Sequence, residues 1–279
     1  MSRTTAGKTV AITATLTVAV ATHPAAAHAR GPLPCPPGSA KSTVVLVHGA
    51  WADTSSWGGE VDALRKAGYT ARAIGNPLRN LDDDAATVAA FLKTVSGPVV
   101  LVGHSYGGSV ITNAAANATN VKALVYVDAA VPDKGETTAQ LSGAGSALGA
   151  APDTLYDKVS YANAPVGARD LYLKREPFLR SFASDLPRDT AERLWATQRA
   201  ASTNAFHTPS QAAAWKRIPS WYFASTGDRI ITIESQLSMA KRAGSKVTKF
   251  AGGSHLTLVS HPEAVASVIG SAVCSVKGE

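Results

Sequence analysis

Charge, aromatic rings and cysteine are all scarce in this chain of 279 residues. Asp, Glu, Lys and Arg together make up 17%, aromatics 6%, and there are two cysteines. Each shortage excludes something. Although the formal net charge is +7, no run of five or more basic residues occurs, which removes the electrostatic footprint expected of a nucleic-acid binder. No apolar run approaches the roughly 20 residues of a membrane-spanning helix. There is no HExxH and no pair of CxxC motifs, so no metal site is expected. The glycines after the first apolar run do not form G-x-G-x-x-G, so no dinucleotide cofactor is expected either. What is present is 45% hydrophobic residues, which excludes a disordered chain and suffices for a full core at this length.

The first 29 residues read as a secretory signal peptide. Arg3 and Lys8 give a positive start, residues 10–21 an apolar stretch, and Ala27-His28-Ala29 a small-x-small cleavage site. The two cysteines, Cys35 and Cys274, lie near the two ends of what would remain. Termini of compact domains often meet, so in an oxidising compartment the pair is expected to form one disulfide. The expected location is therefore secreted.

Residues 43–47 (TVVLV) form a continuous apolar, β-branched run, as a strand buried on both faces requires. Helical text follows at 56–67, with Val61 and Leu64 inward, and a weaker strand at 69–74. Asp82, Asp83 and Asp84 occupy the first turn of another helix, where carboxylates complement its dipole. Further strands are predicted at 99–102, 123–127, 221–224 and 246–250, with helices between them and a last helix over 262–273. Ser260 and Glu263 fit a capping box for that last helix. Such alternation predicts an α/β fold, doubly wound around a mainly parallel six-stranded sheet. Residues 132–219 break the alternation without a strand of comparable quality. The stretch is too long for a bare loop and reads as a helical cap inserted into a core made of 30–131 and 220–279.

Gly103-His104-Ser105-Tyr106-Gly107 is a G-x-S-x-G placed directly between a strand and a helix. A sharp turn there needs small neighbours and lifts the Ser105 hydroxyl to the carboxyl edge of the sheet, over a helix N-terminus that favours negative charge. A serine needs a base, and the base an orienting acid. In the chain order Ser…Asp…His, Asp228 follows the strand 221–224 and His255 follows the strand 246–250 in a Gly-Gly-Ser loop. Asp128, which also ends a strand, is the rival acid. The oxyanion donors should be the N–H groups of Tyr106 and, from the loop after His48-Gly49, Ala50. Trp51 and Trp57, close to that loop, are candidates for the substrate pocket. The cap aromatics Tyr156, Tyr161, Tyr172, Phe178, Phe182 and Trp195 could add to it, though each on its own reads as cap core.

VVLVHGAW (44–51), VVLVGHSYGG (99–108), ASTGDRI (224–230) and GGSHLTLVSHPEAVASVI (252–269) together resemble the α/β-hydrolase superfamily and its small serine esterase branch. About a dozen residues after the signal precede the first buried strand, too few for the antiparallel hairpin common in that superfamily. The chain is thus similar to the six-stranded hydroxynitrile lyase and methylesterase group. The lyases of that group carry threonine after the first-motif histidine and lysine after the catalytic histidine. Gly49 and Leu256 stand there instead, and the resemblance therefore implies hydrolysis. The expected function is cleavage of small apolar or aryl carboxylic esters, with no cofactor. Perhydrolase, C–C hydrolase or oxygenase chemistry on the same three residues is the alternative, and a non-catalytic small-molecule binder a third reading, since a fold does not fix a reaction.

Overall fold

The computed structural model describes Met1, Ser2, Cys35 and residues 41–276. The expected signal peptide lies almost wholly outside these described residues. Six strands form one parallel sheet: β1 (Thr43–Val47), β2 (Thr70–Ile74), β3 (Val99–His104), β4 (Val121–Val127), and, beyond an insertion, β8 (Ser220–Ser225) and β9 (Lys246–Phe250). Their spatial order is β2-β1-β3-β4-β8-β9. Residue pattern follows position in that order. The central strands β1, β3, β4 and β8 are almost entirely buried, which their mainly apolar sequences permit; Lys122 of β4 is the exposed exception. The edge strands are more open, β2 (TARAI) half-buried and β9 (KVTKF) largely exposed, and their basic residues discourage pairing with another chain. This is also why β2 reads weakly in the sequence.

Helices cover both faces. Helix α1 (Gly58–Lys66) packs on the terminal helix Pro262–Ser275, and α2 (Leu81–Leu92) packs on α3 (Tyr106–Ala114). Asn80 caps α2 by accepting the Asp83 N–H, and the three aspartates fall in its first turn as expected. Leu64, Val88 and Leu92 are fully buried, whereas Val61 only abuts the core.

Two expectations are corrected. The insertion is not purely helical: β5 (Tyr156–Val159), β6 (Asp170–Leu173) and β7 (Ala201–Ser202) form a small antiparallel sheet among short helices. These strands run to four residues at most and β5 is mainly exposed; β6 (DLYL) does alternate, with Leu171 and Leu173 buried, but over a span too short to stand out as a strand. The capping box at the last helix is absent as well. His261 is its N-cap and makes no side-chain cap, while the Ser260 hydroxyl donates to Asp185 Oδ2 at 2.6 Å. A tertiary acceptor outcompetes the local one.

Cys35 and Cys274 form a disulfide across 239 residues, with Cα atoms 5.0 Å apart. It ties the segment before β1 to the last helix. Closing so long a loop stabilises by about 5 kcal/mol in the chain-entropy model. Cys274→Ser should therefore lower the thermal midpoint by roughly 5–15 °C. An unchanged melting curve would show that packing alone holds the last helix.

Candidate active site

Strand β3 ends at His104, and the chain turns at once into α3. Ser105 makes that turn with φ 54° and ψ −125°, a left-handed conformation that costs energy for a residue with a side chain. It persists because the neighbourhood allows nothing larger. A Cβ on Gly107 would sit 2.5 Å from the Val47 carbonyl oxygen, and one on Gly49 would sit 2.6 Å from Ser105 Cβ. The loop after β1 thus lies directly against the serine. Tyr106 opens α3, so its N–H has no intrahelical acceptor. Ala50 is buried in the facing loop.

The loop after β8 and the loop after β9 bring in the partners. His255 Nε2 lies 2.7 Å from Ser105 Oγ, and His255 Nδ1 lies 2.8 Å from Asp228 Oδ2. The Ser105 hydroxyl donates to Nε2 when Nδ1 carries the ring proton and donates to the carboxylate. Asp228 is saturated with donors: Oδ1 accepts the N–H groups of Ile230 and Ile231 at 2.7 and 3.2 Å, and Oδ2 also accepts Gln236 Nε2–H at 2.9 Å. These bonds fix the carboxylate plane. His255 is fully buried, and burial pushes its pKa down to about 3, which keeps the imidazole neutral as a base must be. Burial pushes Asp228 upward, against the pull of the two isoleucine N–H groups.

Two further histidines shape this backbone. His104 Nε2–H donates to the carbonyl of His255 at 2.8 Å, with the two rings 4.8 Å apart. His48 Nε2 accepts the Asn76 N–H at 3.0 Å, so its proton sits on Nδ1 and is donated to Gly49 O at 2.8 Å. Burial lowers His48 to about 4. Ser254, just before the base, donates to Asp185 of the insertion, which holds the histidine loop from the cap side.

Asp128, the rival acid, directly follows β4 and spends its oxygens on Ser225 rather than on the His255 ring. Its Oδ1 accepts the Ser225 N–H at 2.7 Å, and its Oδ2 lies 2.9 Å from Ser225 Oγ. Trp51, two residues beyond Gly49, is buried and holds φ 57°. It stacks on Tyr156 and Phe206 at 5.7 and 5.3 Å and meets the edge of Phe182 at 5.8 Å, while its Nε1–H donates to Leu171 O in β6. Phe182 in turn lies 5.0 Å from the His255 ring. A narrow cleft beside Trp51 is lined by Phe178, Gln198 and Leu256 among others. Trp57 does not line it. That side chain is fully buried and meets His104 edge-on.

Gln236 and Phe206 join the site without having been expected there from the sequence. Gln236 is a polar residue on the buried side of the helix Ile233–Arg242, and an inward amide in an otherwise apolar stripe was the available signal. Phe206 had no comparable signal. Among the described residues no cluster of His, Cys, Asp or Glu could hold a metal ion, and no helix is long and apolar enough to cross a membrane.

A six-stranded parallel sheet with a serine on a strand-to-helix turn, backed by a histidine and a carboxylate from later loops, is the arrangement of a hydrolase of the α/β class. The chain belongs to the alpha/beta hydrolase family, whose model matches residues 44–268. It is similar to a carbendazim hydrolyzing esterase of Nocardioides sp. (strain SG-4G), 38% identical over 107 residues, covering 33% of this chain. That match spans 44% of the relative's length. Among solved structures it is similar to polyneuridine aldehyde esterase, with TM-score 0.69, 17% identity, and coverage of 82% of this chain and 98% of the other. An extracellular α/β-hydrolase from a Paenibacillus species superposes with TM-score 0.68 at 22% identity, over 83% of this chain and 98% of its own.

Proposed function

We propose that the protein is a secreted serine esterase acting on small carboxylic esters with an apolar or aryl group. The observation that carries this reading is the unbroken hydrogen-bond line Ser105–His255–Asp228, with contacts of 2.7 and 2.8 Å. His255 takes the hydroxyl proton as Ser105 Oγ attacks the ester carbonyl, and the N–H groups of Tyr106 and Ala50 receive the developing oxyanion. His255 then returns the proton to the leaving alcohol. A water deprotonated by the same imidazole cleaves the acyl-enzyme. Asp228 holds the ring in the required tautomer throughout. Preference for an apolar or aryl group is supported by Trp51, Tyr156, Phe182 and Phe206 gathered beside the base.

Esterase chemistry is further supported by the named activities of the carbendazim and polyneuridine aldehyde esterases. Secretion is supported by the signal-like first 29 residues and by the disulfide, which persists in oxidising compartments. The test is a panel of para-nitrophenyl esters of increasing acyl length, with aryl acetates beside them. Turnover should be highest for short or aryl members, with one equivalent of nitrophenol released in a burst. Absence of hydrolysis across the panel, with no fluorophosphonate labelling of Ser105, would overturn the reading.

A further inference from the structure

A second buried carboxyl, Asp128, feels the charge of the proposed triad acid and opens a hydrogen-bond chain that ends in the histidine loop. Four oxygens run in a line from Asp128 to the histidine loop. Asp128 Oδ2 is 2.9 Å from Ser225 Oγ, Ser225 Oγ is 2.8 Å from Thr257 Oγ1, and Thr257 Oγ1 is 2.5 Å from the Ser254 carbonyl. With one two-centre hydrogen bond per contact, three protons are needed; a Ser225 proton shared between Asp128 and Thr257 is the competing arrangement. The carbonyl has none to give, so the shortest contact must hold the Thr257 proton; two bare oxygens at that distance would repel. Ser225 must then donate to Thr257. Neither hydroxyl has a hydrogen left for the remaining contact, and only a carboxylic acid can supply it.

We propose that Asp128 is a neutral carboxylic acid at working pH, a positioning residue that donates to Ser225 and, through Thr257 and the Ser254 carbonyl, anchors the loop presenting His255. The inference rests on the reading of Asp228 as the ionised acid of the triad. The two carboxyls are distinguished by their donors. Asp228 receives four hydrogen bonds, three from N–H groups of Ile230, Ile231 and Gln236 and one from His255. Asp128 receives one N–H, from Ser225. Two neighbouring buried carboxyls do not both ionise at low cost, and the proton settles on the one with fewer donors. Asp128 is fully buried, and burial together with the charge of Asp228 raises its pKa; a weaker push in the same direction comes from Asp185. Tyr222, whose hydroxyl donates to the Ala129 carbonyl next in the chain, faces the same pair and stays protonated. Asp128 holds φ 45°, so the relay also secures a strained turn.

The test is infrared spectroscopy of the full chain labelled with carboxyl-13C aspartate, which leaves glutamates such as the buried Glu60 out of the signal. At pH 7 the wild type should show a protonated-acid carbonyl band that disappears in Asp128→Asn. In Ser225→Ala, where the donor loses its acceptor, the band should persist at higher frequency. Turnover gives a second readout. Asp128→Ala should lower kcat/KM at least about tenfold, and Asp128→Asn, whose amide N–H donates and whose oxygen accepts just as the acid does, should recover most of that loss. A wild type without such a band, or a band unaltered in Asp128→Asn, overturns the proposal. So does an Asn variant no better than Ala. The band is read without any substrate. A failure of the esterase reading therefore leaves this result separately visible.

Discussion

Ser105→Ala should lower kcat/KM toward activated esters by about 10⁶-fold and abolish fluorophosphonate labelling while leaving the fold intact. The size follows from the geometry. The hydroxyl oxygen is the only atom on the serine that reaches His255 Nε2, and without it no acyl-enzyme forms. Residual hydrolysis would come from oxyanion stabilisation of an attacking water, since the N–H groups of Tyr106 and Ala50 survive the change. The fold should tolerate it well. Ser105 makes no cap hydrogen bond for α3, and alanine removes only an oxygen. Circular dichroism and melting temperature close to the wild type would confirm that chemistry, not folding, was lost. A variant that still hydrolysed esters at a tenth of the native rate would remove Ser105 from the reaction.

The second large effect is expected at Asp228. Asp228→Asn should cost about 10⁴-fold in kcat/KM, because an amide cannot stabilise the imidazolium and favours the wrong ring tautomer. Here the substitution is more hostile than usual. Each carboxylate oxygen accepts N–H groups: Ile230 and Ile231 on Oδ1, Gln236 and His255 on Oδ2. Whichever way the amide turns, its NH₂ meets donors, so some loss of stability should accompany the loss of rate. Rates measured on variants purified in the folded state, with stability read by urea denaturation, separate the two. A loss below tenfold would move the acid role away from Asp228.

Much of this was legible in the chain, for physical reasons that differ by element. The central strands were plain because a strand buried on both faces must be apolar throughout, as 43–47 and 99–102 are. The strand-to-helix turn at Ser105 was plain because Gly103 and Gly107 permit approaches that a side chain would block. Asp228 and His255 followed from chain order and strand ends. What stayed hidden depended on tertiary partners. Ser260 had a local use in the sequence but spends its hydroxyl on Asp185, 75 residues away. Trp51 and Trp57 looked equivalent as pocket candidates, yet one stacks on cap aromatics and the other is packed against His104. The strands of the insertion were hidden because they are short and partly exposed. Asp128 against Asp228 could be decided only by distance.

The proposed catalytic line joins Ser105 to a histidine 150 positions later, across β4, β8 and β9 and with the whole insertion between them. Such wide separations make for slow assembly. No fragment of the molecule that lacks β8 or β9 can bring these groups together. Recovery of ester turnover after dilution from denaturant is thus a strict clock for completed refolding: spectroscopic helix content can return early, but the first nitrophenol appears only from molecules in which the last strand has docked.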